Sequence, residues 1–416
     1  MKKIIFILAI IWSTEFVFAQ NKLSLNDVIQ QIDNSNPTAK MYEADIRSMD
    51  EAARGAKSWM PPELGTGLWM VPYNPKLWQK EAGMPGMGQY MISVQQMFPN
   101  AKKQDAEAKY MQAMSSVAKE KKNYALNQLY SDAKKNYYEW LIIKKKLSIL
   151  DQDEKMLDFM IKNAEIRYRN NLGKLSAYYK AKASLGNIMS MRIMLENEAN
   201  QKRITLNTLM NRDKTFGFDI DTTYSINDYS TVSFDTTTFI SNRSDIKAID
   251  RDIQLTILQQ TSERAKLKPE FGIRYEHMFG FGGLPMQYTL MGMVKIPFAK
   301  WSSKMTKANV ESLKWKAESL NQQKQMIVNE ATGMANGMLA EIEAKKKQVK
   351  LFEDNILPAL RKNYEVMQLG YEQNTEELFM LYDAWETLNM TQLEYLNQLQ
   401  QLLSMQAELD RILETK

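Results

Sequence analysis

Pro269-Glu270-Phe271-Gly272-Ile273-Arg274-Tyr275-Glu276-His277-Met278-Phe279 is the stretch that decides how this chain reads. Phe271, Ile273, Tyr275 and Phe279 fall on one side of an extended backbone, and Glu270, Arg274 and Glu276 on the other. Such alternation marks a β-strand with two unlike faces. Beyond a turn containing Gly280, Gly282 and Gly283 the pattern resumes: Tyr288, Leu290, Val294 and Ile296 oppose Gln287, Thr289 and Lys295. Together the two runs form a hairpin closed by Pro297.

The same plan stands about 200 residues earlier. Pro62-Glu63-Leu64-Gly65 matches Pro269-Glu270-Phe271-Gly272. Gln89-Tyr90 matches Gln287-Tyr288, and Pro99-Asn100-Ala101-Lys102 matches Pro297-Phe298-Ala299-Lys300. Tyr168 with Ala181 matches Tyr371 with Ala384. Four matches in the same order, each about 200 residues apart, define an internal repeat.

Working outward, each hairpin is embedded in helix. No proline occurs between Pro99 and Pro269, and only Pro358 after Pro297. These stretches are rich in Lys, Glu, Gln, Leu, Met and Ala, all helix formers. The first repeat spans 20–212. It has a helix from Leu25 to Trp59 broken near Asn36-Pro37, strands at Glu63–Val71 and Gln89–Phe98, and a long helical hairpin over 102–210 turning at Asn170 to Gly173. The second spans 244–416. It has a helix from Asp245 to Leu267, strands at Glu270–Phe279 and Gln287–Ile296, and a long helical hairpin over 300–413 with its return helix from Glu376. Residues 213–243, dense in Asp, Thr and Ser, read as an irregular connector with little helix. Apolar residues at spacings of three and four, such as Leu126, Leu129, Ala133, Tyr137 and Trp140, form coiled-coil-like seams. A helix of about 68 residues is on the order of 100 Å long, which suits a tube wall better than a compact core.

The strands fit a membrane barrel, with one face for lipid and one for water. A small sheet packed on a helix gives the same alternation. Four strands cannot close a barrel, and open edges in lipid leave backbone groups unpaired, so a membrane location requires several chains to share one barrel. Glu270, Arg274, Glu276 and Lys295 are then the candidate lumen residues.

Residues 1–19 read as a secretory signal, with Lys2 and Lys3 before an apolar run and Val17-Phe18-Ala19 before Gln20. The chain holds no Cys, so an N-terminal lipid anchor, disulfides and thiolate metal sites are excluded. One His, at position 277, is poor material for a metal site or a triad. No motif gathers a nucleophile, a base and an orienting group, so neither an enzyme nor a cofactor is expected. A formal net charge of +5 on 416 residues makes no case for nucleic acid. The 29 methionines surround both hairpins and also populate the helices. Thioethers favour soft Cu(I), but Met is also a flexible core filler, and that reading is preferred.

Three stretches carry a resemblance to the TolC family of outer-membrane efflux proteins. They are Leu23 to Asn36-Pro37, the two Pro-flanked hairpins, and Ile356-Leu357-Pro358-Ala359 followed by Tyr364, Tyr371 and Ala384. The resemblance implies a mainly α fold with a β-barrel contribution. It implies a homotrimer with a 12-stranded outer-membrane barrel and a 12-helix periplasmic tunnel. It also implies the outer membrane of a Gram-negative bacterium, and partnership with a periplasmic adaptor and an inner-membrane pump. The family closes its tunnel with a Tyr, a basic residue five on, and acids nine and twelve on. Here those positions are Tyr371, Glu376, Met380 and Asp383. Glu376 reverses the basic charge and Met380 replaces an acid, so the candidate gate is an acidic ring of Asp383 with Glu376 or Glu377. The competing reading is acids that merely suit a helix start. The alternatives for the whole chain are a soluble periplasmic coiled-coil adaptor or, as substrate class, heavy-metal efflux.

Overall fold

The computed structural model describes residues 22–81, 83–171, 173–229 and 236–415, so the expected signal at 1–19 lies outside them. In chain order the elements are β1 (Lys22–Leu23), α1 (Leu25–Ser35), α2 (Pro37–Arg54), β2 (Glu63–Trp69), β3 (Gln89–Phe98), α3 (Ala101–Arg169), α4 (Leu175–Leu209), β4 (Asp219–Ile220), α5 (Thr236–Asn242), α6 (Ser244–Ala265), β5 (Glu270–Gly280), β6 (Gln287–Lys295), α7 (Lys300–Leu351), α8 (Leu357–Glu372) and α9 (Leu378–Leu413). Helix, strand pair, long helix and return helix therefore occur twice. The chain forms two compact units, and each draws on both sequence halves.

The strand unit takes its described residues from Thr38–Leu126 and Phe234–Met334. Its sheet has the order β2-β3-β5-β6, antiparallel throughout. Pro62 precedes β2, Pro99 follows β3, Pro269 precedes β5 and Pro297 follows β6, because a residue without an N–H cannot continue a ladder. β2 ends at Trp69, two residues earlier than expected, because Met70 turns into the left-handed region at φ 51°. In the same unit α2, α3 and α6 bury small side chains, among them Ala39, Ala106, Ala108 and Ala265. The first helix ends at Arg54, not Trp59; Gly55–Lys57 is a 3₁₀ turn, and Pro61 follows.

The helical unit takes its described residues from Met1–Pro37, Asn127–Ser233 and Ala335–Lys416. Asn36 caps α1 in an extended conformation before Pro37, the break the Asn-Pro pair foretells. Leu141, Ile142, Leu150, Leu157, Met160, Leu381, Leu399, Leu402 and Leu403 are fully buried. Each such side chain contributes roughly 1.5–3 kcal/mol relative to exposure. The second long helix is not continuous. Phe352–Ile356 forms a π-turn and α8 starts at Leu357 with Pro358 in its first turn. Pro358 cannot donate to a carbonyl four residues back, and the wider turn accommodates its ring. The return helix begins at Leu378 rather than Glu376, since the Thr375 and Glu376 N–H groups both donate to the Gly370 carbonyl.

The described residues of the connector carry more regular structure than its composition promises. α5 occupies Thr236–Asn242, and β4 pairs in parallel with β1. Buried Asn207 donates to the carbonyls of Lys214 (3.1 Å) and Phe216 (3.0 Å) and accepts from Arg212 Nε (2.6 Å). Lys144 holds Asp219 at 2.6 Å.

Candidate functional site

The sheet is inverted relative to that of a water-soluble domain. Leu64, Leu68, Tyr90, Ile92, Val94, Phe271, Ile273, Tyr275, Tyr288, Leu290 and Val294 share one face, and all are exposed. Register explains the shared face: Leu64 pairs with Val94, Val94 with Tyr275, and Tyr275 with Leu290. The opposite face holds the charges, and it is the more enclosed one. Glu270 is 6% exposed and Glu276 7%. Glu270 binds Lys103 at 2.5 Å and Lys295 at 3.5 Å, and Arg274 binds Glu276 at 2.5 Å. Gln89 Nε2 donates to Gln287 Oε1 at 3.1 Å. Glu270, Arg274, Glu276 and Lys295 thus share one face, as their alternation predicts. Met91, Met97, Met278, Met291 and Met293 fall on this face too. A Cβ on Gly272 would collide with Met97 Sδ and lie 3.1 Å from Met293 Cε, so these side chains fill the space that the glycine leaves.

At the second helical hairpin, in the other unit, Tyr371 is buried at 4% exposure and its hydroxyl has no hydrogen-bond partner. The Arg167 guanidinium stacks over its ring, 4.8 Å from the centroid, and Arg167 Nη2 donates to Asn374 Oδ1 at 2.8 Å. Asn374 occupies the left-handed turn position, φ 61°. Glu376 folds over Gly370, where an added Cβ would meet Glu376 Cγ at 2.6 Å. Glu377 sits at the cap of α9 and is exposed; Asp383 is exposed on α9 while Leu381, Tyr382, Ala384 and Trp385 around it are buried. The structure joins none of Glu376, Glu377 and Asp383 to Tyr371 by a hydrogen bond. It gives Tyr371 a cation that no spacing around Tyr371 indicates. Arg167 comes from the first hairpin, beside Tyr168, whose match to Tyr371 was the available signal.

A second feature that the sequence concealed lies on α3. Asp153 is 6% exposed. Trp385 Nε1 donates to its Oδ1 at 2.8 Å, while Oδ2 has no partner. Burial pushes its carboxyl up to about 6, and the Trp385 N–H opposes that shift. Nearby Tyr364 donates to Met156 Sδ at 3.0 Å, and burial pushes its phenol up to about 12.

Among the described residues no cluster of His, Cys, Asp and Glu is arranged to hold a metal ion, and no helix is long and apolar enough to cross a membrane. No family model and no curated protein matches the sequence. Solved structures do match. The outer-membrane channel OprN is 12% identical over 94% of this chain and 90% of its own, with a TM-score of 0.75. The outer membrane protein VceC from Vibrio cholerae is 15% identical over 94% and 95%, TM-score 0.71. The Neisseria gonorrhoeae MtrE outer membrane channel, captured in an open state, is 14% identical over 94% and 88%, TM-score 0.72. This chain has the TolC-type outer-membrane channel fold. Within it, the expected mainly helical architecture with a β-hairpin in each repeat holds.

Proposed function

We propose that this chain is one protomer of an outer-membrane exit duct. In this reading three chains share a barrel of twelve strands and a tunnel of twelve helices. The duct passively conducts cargo delivered by an inner-membrane pump through a periplasmic adaptor, in a tripartite efflux or type I secretion system. The observation that carries the reading is the inverted sheet. A face of exposed Phe, Tyr, Ile, Leu and Val opposite an enclosed face of paired charges suits lipid on one side and a water-filled lumen on the other. The same exposure argues against a soluble coiled-coil adaptor, which gains nothing from so large an apolar surface in water. Among the described residues β2 and β6 each have one unpaired edge. In lipid those edges need partners, and neighbouring copies supply them. Glu270, Arg274, Glu276 and Lys295 then face the lumen.

The expected result is a heat-resistant oligomer in outer-membrane fractions that cross-links as a three-chain species. A stable monomer that conducts in planar bilayers would overturn the shared barrel.

Under the same reading the second hairpin turn forms the constriction. Tyr371, packed under Arg167, holds the turn in shape. Asp383 and Glu377 are exposed and free to line an axis, whereas Glu376 is occupied against Gly370. Threefold repetition of these acids favours cations. Asp383→Asn is expected to lower the cation-to-anion permeability ratio several-fold without changing assembly, and Glu377→Gln tests a ring displaced by nearly two turns. Unchanged selectivity in both variants would mean that the acids only solvate a helix start.

A further inference from the structure

We propose that the helix-joined end of the sheet is a binding belt for anionic phospholipid headgroups. The proposal rests on the reading that the apolar sheet face lies in lipid, and it specifies the leaflet chemistry at one end of that face. All four strands attach to helices at this end: β2 and β5 begin there, and β3 and β6 finish there.

Charge is concentrated at these junctions. Segments 54–63, 98–109, 263–271 and 294–307 carry twelve Lys and Arg against five Asp and Glu. That excess of seven exceeds the net charge of the whole chain, +5, so the remainder is slightly acidic. Interspersed solvating charges, the ordinary reading of a Lys-rich helix, do not produce such a local excess. Most of the acids here are also already engaged. Lys103 and Lys295 hold Glu270, Lys57 holds Asp105 at 2.7 Å, Lys266 pairs with Glu263, and Ser262 bonds Glu107. Lys102, Lys268, Lys300, Lys304 and Lys307 are exposed and have no acidic partner among the described residues. Lys300, Lys304 and Lys307 recur at helical spacing along the first turns of α7, a rise of about 10 Å, comparable to a headgroup layer.

Aromatic side chains occupy the same level. Trp301 is 87% exposed, Trp59 62% and Phe298 56%, and Trp59 stands edge-on to Phe98 at 5.5 Å. Tryptophan with a polar N–H and an apolar body settles at the headgroup boundary, and lysine stems cover apolar surface while their ammonium groups reach phosphate. The opposite end of the sheet differs. Its loops, 70–88 and 281–286, contain Lys76, Lys80 and Glu81 as their only charges. One end of the sheet is therefore built for anionic headgroups.

The test reconstitutes the full chain into vesicles of phosphatidylcholine, or of equal parts phosphatidylcholine and phosphatidylglycerol. Brominated forms of each lipid in turn quench tryptophan fluorescence, which reports the lipid at the protein surface. Brominated phosphatidylglycerol is expected to outcompete phosphatidylcholine by about fivefold at low salt, falling toward parity at high salt. Lys→Gln at 102, 268, 300, 304 and 307 together should bring the ratio to near one. Equal quenching by the two lipids in the natural chain would overturn the belt and leave the duct reading standing. So would a preference unchanged in the variant and by salt. Quenching by neither lipid would overturn both.

Discussion

Ile273→Arg is expected to abolish outer-membrane assembly. Ile273 is the fourth residue of β5, on the exposed apolar face, with Gln96 and Gly292 as its cross-strand neighbours. In lipid, an Arg costs about 2–4 kcal/mol per chain at the bilayer midplane and less toward the interface, and a trimer incurs the penalty three times. In water the same substitution on an exposed strand position costs less than about 0.5 kcal/mol. Thr289→Arg provides the comparison. Thr289 lies on the opposite face and pairs with Glu276, so an arginine there meets water and an acid. The expected pattern is loss of the heat-resistant oligomer for Ile273→Arg and normal recovery for Thr289→Arg, measured in fractionated membranes. Equal recovery of both would place the exposed face in water and remove the main support for the duct.

The second large effect concerns pH. Asp153 holds its proton up to about pH 6 in the folded chain, against an ordinary value of 3.8. Burial with one unpartnered oxygen makes the ionised form costly there, while the unfolded chain ionises freely. The unfolded chain therefore releases this proton first as pH rises, and folding stability falls over that interval. The contribution is most favourable below about pH 4, declines between about pH 4 and 6, and stays lower by about 3 kcal/mol above that. Asp153→Asn keeps an acceptor for Trp385 and never ionises. Its unfolding midpoint should show no loss through that interval from this site, and at pH 7.5 the variant should be more stable than the natural chain by about 1–2 kcal/mol. Thermal unfolding in detergent across pH 4 to 8 checks this. Parallel curves for the two proteins would mean that Asp153 is hydrated or paired in solution.

Much of the architecture was legible because it depends on local periodicity. Alternation over Glu270 to Phe279 and over Gln89 to Phe98 identifies strands whichever neighbours they acquire, and prolines on either side terminate them. Long Pro-free runs of helix formers define α3, α4 and α9 to within a few residues, since helix hydrogen bonds close within the segment itself. The Asn36-Pro37 break follows from one steric clash. The shared face of Glu270, Arg274, Glu276 and Lys295 likewise follows from strand geometry. What remained hidden depends on groups far apart in sequence. Alternation shows that a strand has two faces, but only the assembled sheet puts the aromatic face outside and encloses the charged one. The order β2-β3-β5-β6 joins the two repeats through β3 and β5, a choice made between hairpins and not within them. The two-residue pairing of β1 with β4 is too short to leave a period. Arg167 reaches Tyr371 from 204 positions away in the chain, so no spacing rule around Tyr371 finds it. Asp153 looks like any other acid on a charged helix, and its perturbed proton affinity arises only because Trp385 and the helices beside it exclude water. Periodicity and backbone sterics are written in neighbouring residues, whereas burial, dielectric and the choice of partner exist only once distant segments meet.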